Sequence, residues 1–110
     1  MIHFNVLREY FDNDEDMVEA VFMIYAEEYF DCTAKLNAIF ESNDWAELSL
    51  YSHSLKGALS NFGESDAVPL LELLEQKTKN LAVPSKSEIT IVAEQIELIN
   101  QQIKDYLATL

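Results

Sequence analysis

His53 is followed at i+3 by Lys56 and at i+4 by Gly57, and this spacing puts all three on one side of a helical turn. An imidazole that titrates near neutrality is a competent nitrogen nucleophile, and an ammonium beside it favours an anion bound there. Lys56 is the only Lys or Arg between Lys35 and Lys77, and it is read as an exposed side chain. Glycine inside a helix costs roughly 1 kcal/mol relative to alanine, so Gly57 is read as leaving the surface beside the imidazole bare. Together these residues point to phosphoryl transfer through His53.

For that chemistry the segment must be a helix with His53 outward. At 100° per residue, Leu48, Tyr51, Leu55, Ala58, Leu59 and Phe62 cluster opposite His53 and are expected to face the core. Ala46, Ser49, Lys56, Gly57 and Ser60 share the histidine side, small or polar apart from the lysine. Leu50 falls about 60° from His53, outside the core stripe. Ser49, Leu50 and Ser60 are therefore candidates for docking a partner.

The segment His53-Ser54-Leu55-Lys56-Gly57, with Asn61-Phe62-Gly63 and Leu73-Leu74-Glu75 after it, resembles the histidine-containing phosphotransfer (HPt) family. The specific motif spans about His53 to Glu75, and the architecture about Asp14 to Leu110. The resemblance implies that His53 takes the phosphoryl group on Nε2 and that Lys56 helps hold the phosphoryl oxygens. It also implies that Glu75 or Gln76 hydrogen-bonds the other ring nitrogen. The implied partners are receiver domains of hybrid histidine kinases and response regulators, which bring the reacting aspartate and Mg²⁺. No cofactor or metal ligand is expected from this chain, and no autonomous kinase activity.

The elements that would position these residues are legible as helical periodicity. From Asp14 to about Glu41, Val18, Val21, Phe22, Tyr25, Tyr29, Cys32, Leu36, Ile39 and Phe40 recur at three and four, which predicts one long amphipathic helix. Asn43 or Asp44 is expected to cap a second helix running to about Phe62, with Gly63 as a left-handed stop. Ser65 or Asp66 is expected to start a third helix, with Pro69 near its first turn and Leu70, Leu71, Leu74 and Leu81 on its apolar side. After a connection at Ala82–Ser87, a fourth helix from about Lys86 carries Ile89, Val92, Ile96, Ile99, Ile103, Tyr106 and Leu110 in one stripe. Phe4, Leu7, Tyr10 and Phe11 suggest a short helical lid within residues 3–12. The fold expected is all-α: an antiparallel up-down-up-down four-helix bundle over about 14–110, in one domain of residues 1–110.

Composition narrows the partners. Twenty acidic against seven basic residues give a formal charge of -13, which repels nucleic acid and anionic membranes. Two glycines and two prolines are too few for a Gly-rich phosphate loop or an all-β fold. Cys32, the single cysteine, sits on an apolar stripe and is read as core, and nothing suggests an oxidising compartment. His3 is read as a surface residue, and Asp12, Asp14, Glu15 and Asp16 lack the glycine and distal Glu of a Ca²⁺ loop. No leader or membrane-spanning stretch is seen. The expectation is a soluble, unprocessed, cytoplasmic monomer. The alternatives are a helical interaction module that works without phosphorylation and the dimerising phosphoacceptor domain of a histidine kinase.

Overall fold

A computed structural model describes residues 1–110 as six helices without strands: α1 (Phe4–Tyr10), α2 (Glu15–Tyr29), α3 (Cys32–Glu41), α4 (Trp45–Ser60), α5 (Ala67–Lys79) and α6 (Lys86–Ala108). Helix starts follow local capping chemistry. The Asp14 and Asp44 carboxylates accept the Met17 and Glu47 N–H groups, and Ser85 and Glu88 form a reciprocal capping box on α6. Gly63, at φ 70°, ends α4 as expected: its N–H bonds the Ser60 carbonyl while that of Glu64 reaches the Leu59 carbonyl.

Cross-helix pairs give the topology. Glu15–Tyr106, Tyr25–Asn100, Thr33–Glu97 and Glu41–Lys86 run up α2 and α3 and down α6. Lys35 lies over the Tyr51 ring and Phe40 packs on Trp45, so α4 turns back along α3. Ser49–Glu75 and Lys56–Glu72 set α5 antiparallel to α4, and Lys77–Glu88 joins α5 to the returning α6. The α3–α4–α5–α6 ring is an up-down-up-down four-helix bundle, extended along α6 by α2. None of the helices is long and apolar enough to cross a membrane.

The expected single helix from Asp14 to Glu41 is instead two, interrupted at Phe30–Asp31. Both halves bury the same stripe, Val18, Phe22 and Tyr25 in α2 and Cys32, Leu36 and Ile39 in α3. A straight helix drifts about 20° per heptad from a stripe repeating every 3.5 residues, so over three heptads one end would turn off the core. With the chain interrupted, both halves keep their stripe on the core. The interruption falls at Asp31, a weak helix former, with no glycine or proline to announce it.

Two further expectations change. Leu81 is not on the apolar side of α5: it ends the helix at φ 62° and is 84% exposed, because its N–H and that of Ala82 must close on Thr78 and Lys77. Leu110 lies past the end of α6 and is exposed. α5 starts after Asp66, as expected, but its free N–H groups are met by the buried Glu64 carboxylate, which accepts from Asp66, Ala67 and Val68, and not by the Asp66 side chain. A carboxylate suits the positive end of a helix.

The core joins all six helices. The lid helix α1 buries Leu7, with Ile2 just ahead of it, and Phe4 stacks on Tyr106. Cys32 is fully buried, as read from its stripe, and its sulfur accepts from the Asn100 amide.

Candidate functional site

The inner face of α4 is built by Leu48, Tyr51, Leu55 and Leu59, all buried, with Ala58 half-buried and Phe62 buried just past the helix end. That packing forces His53 outward, and its side chain is 66% exposed. Nδ1 lies 3.2 and 3.1 Å from Glu75 Oε1 and Oε2, whereas Nε2 meets no protein group. A carboxylate only accepts, so the neutral ring carries its proton on Nδ1 and keeps the Nε2 lone pair free toward solvent.

Glu75 reaches the ring from α5, where its side chain is only 9% exposed. Its Oε1 also accepts from Lys56 Nζ at 2.7 Å, and Lys56 bonds Glu72 as well. The Lys56 ammonium, and behind it the His53 ring, hold the Glu75 carboxyl below the usual carboxylate range against the opposing effect of burial. Glu72 is held low by Lys56 and then Gln76, and Lys56 is pushed up by Glu72 and then Glu75.

Lys56 is therefore not the free, exposed cation read from the sequence. It is 19% exposed and clamped between two carboxylates of α5. Glu72 had no signal of its own among so many acidic residues. Of the two α5 candidates, Glu75 contacts the imidazole, and Gln76 points to Glu72 instead. Ser49 is half-buried at the α4–α5 seam, its hydroxyl donating to the Glu75 carbonyl. Leu50 and Ser60 are exposed on α4. His3 is apart from this group and faces Asp66 at 3.5 Å.

A family model described as Hpt domain matches residues 20–110. The chain belongs to the Hpt domain family. The resemblance carried by the His53 to Glu75 motif is thereby confirmed at the level of the family. The match begins inside α2, so the α1 lid precedes it. No curated protein and no solved structure matches the chain significantly. Hpt domains are phosphocarrier modules of two-component signalling and work with receiver domains.

In this Hpt domain the space above Gly57 is open: a Cβ built there meets no atom within 4 Å. Gly57→Ala is expected to stabilise the fold by about 0.8–1 kcal/mol, since alanine is the better helix former. Gly57→Leu should also melt no lower than the parent while slowing phosphoryl transfer, because leucine crowds the approach to His53. Thermal melts and transfer rates on the same preparations check the opposed signs. A destabilised Gly57→Leu would place this face against protein.

The depressed carboxyls give a pH prediction. A group whose folded pKa lies below its unfolded value contributes stability that is complete above the unfolded value and is lost as pH falls through the folded one. For Glu75 and Glu72 that loss sets in below about pH 4.5. Urea unfolding along an acid series should show stability falling there, and Glu75→Gln should make the fall shallower. An unchanged slope would mean the pair with Lys56 contributes nothing to folding.

Proposed function

We propose that this Hpt domain is a phosphorelay intermediate that takes a phosphoryl group onto His53 from a receiver-domain aspartate and passes it to another receiver. The observation that supports this reading is the division of labour in the ring: Nδ1 is engaged by Glu75 while Nε2 stands unpartnered in solvent.

The Nε2 lone pair attacks phosphorus, the bond from phosphorus to the aspartyl oxygen breaks, and the aspartate leaves as its carboxylate. No proton needs to move. The imidazolium that forms keeps its Nδ1 proton and places its positive charge against Glu75, whose ionised carboxylate stabilises it. Transfer onward is the same step reversed. The receiver supplies Mg²⁺ for the phosphoryl oxygens, and this chain carries the group without a nucleotide site or kinase action of its own. Leu50, Gly57 and Ser60 form the surface over which the receiver approaches. The reading includes a cytoplasmic monomer.

The test is incubation with a phosphorylated receiver, followed by characterisation of the product. Expected is one phosphoryl group, labile in acid and stable in alkali, which nuclear magnetic resonance assigns to His53 Nε2. An acid-stable label would move the site off histidine, and no label from any receiver tried would argue for the interaction module instead.

A further inference from the structure

Lys56 has two carboxylate partners in unequal surroundings. Glu75 is 9% exposed and shares Oε1 between Lys56 Nζ and His53 Nδ1, so releasing it would strand a buried charge and loosen the ring. Glu72, one turn earlier on α5, is 47% exposed. Its carboxylate can pass to water at little cost, and the Gln76 amide stays beside it.

A phosphoryl group on Nε2 brings roughly two negative charges next to this cluster. The ammonium is one carboxylate oxygen away from the ring; its third N–H is unengaged, but Nζ is held between two α5 carboxylates, so moving it toward the phosphoryl oxygens stretches one of those two pairs. The exposure difference decides which one.

We propose that Glu72 is an internal competitor for Lys56. In the unphosphorylated protein Glu72 occupies the ammonium, and when His53 is phosphorylated Lys56 leaves Glu72 for the phosphoryl oxygens while Glu75 stays on Nδ1. Glu72 is thus a positioning residue acting through Lys56. The attraction gained by the phosphoryl group is partly offset by the pair lost, so the phosphohistidine is held loosely enough to be handed on. This inference rests on the phosphorelay reading above.

The experiment compares the wild type, Glu72→Gln, Lys56→Met and the double variant, each charged chemically with phosphoramidate so that none depends on a receiver for loading. Each is then mixed with one receiver, and the share of phosphoryl left on histidine at equilibrium is measured. Glu72→Gln should shift the equilibrium toward phosphohistidine by roughly two- to fivefold, the scale of a surface ion pair no longer given up. In the Lys56→Met background the same substitution should have no effect.

No shift in Glu72→Gln overturns the proposal, and so does a shift of equal size with and without Lys56, which would be plain charge repulsion. Helical content and melting temperature confirm that each variant is folded. If the wild type exchanges nothing with a receiver, the phosphorelay reading itself fails. If it exchanges normally and Glu72→Gln matches it, only the role of Glu72 fails.

Discussion

His53→Gln is expected to abolish phosphoryl uptake from a phosphorylated receiver, a loss of more than roughly a thousandfold of the kind seen when the reacting group itself is removed. The glutamine amide nitrogen has its lone pair delocalised into the carbonyl and is no nucleophile, although its size and polarity are close to those of the ring. The fold should tolerate the change. The side chain is largely in solvent, and Glu75 keeps its bond to Lys56, so the stability change should stay within about 0.5 kcal/mol. Circular dichroism melts and phosphotransfer measured on one preparation separate the two effects. His3 is the only other histidine and serves as the internal control. Label that survives His53→Gln but disappears in His3→Gln would move the site to the N-terminal segment, where Asp66 is the ring's neighbour.

Phe22→Ala should be the most damaging change away from the site. Phe22 is fully buried, and its ring meets those of Phe4, Phe62 and Tyr106 edge-on, with centroids 6.2, 5.6 and 5.1 Å away and planes nearly perpendicular. It therefore ties α2 to the lid, to the end of α4 and to α6. Truncating a buried phenylalanine costs about 3–5 kcal/mol through lost transfer energy and the cavity left behind, and these edge-on pairs add to it. Against a typical domain stability of about 5–15 kcal/mol, that should lower the melting temperature by roughly 10–30 °C. A loss under about 1 kcal/mol in urea would show that the four-ring cluster collapses around the void. The His53 chemistry should survive in whatever fraction stays folded, since none of these rings touches the Glu75–Lys56 group.

The residues most legible in the sequence are those whose roles follow from position along one helix. His53, Lys56 and Gly57 share a turn, and the stripe from Leu48 to Phe62 dictates which way that turn faces. Capping is equally local: the sequence offers Asp44 and Gly63 as caps, and the structure adds Asp14 and Ser85. The reading was weaker where two elements compete. The interruption at Phe30–Asp31 carries no breaker residue, and it reflects the fit of two apolar half-stripes to one core. Glu64 is not a usual capping residue, and it caps α5 only because the loop after Gly63 folds its carboxylate onto the free N–H groups.

Helical periodicity by itself determined the all-helical bundle and the outward histidine, because both depend on spacings within single segments. Whether Glu75 or Gln76 meets the imidazole is different, since adjacent residues on a helix point 100° apart and only the rotation of α5 against α4 selects between them. The same rotation brings Glu72 to Lys56 and turns an apparently free cation into a clamped one. Charges on separate helices find their partners through packing angle and register, which are set by the whole core rather than by any local run of residues.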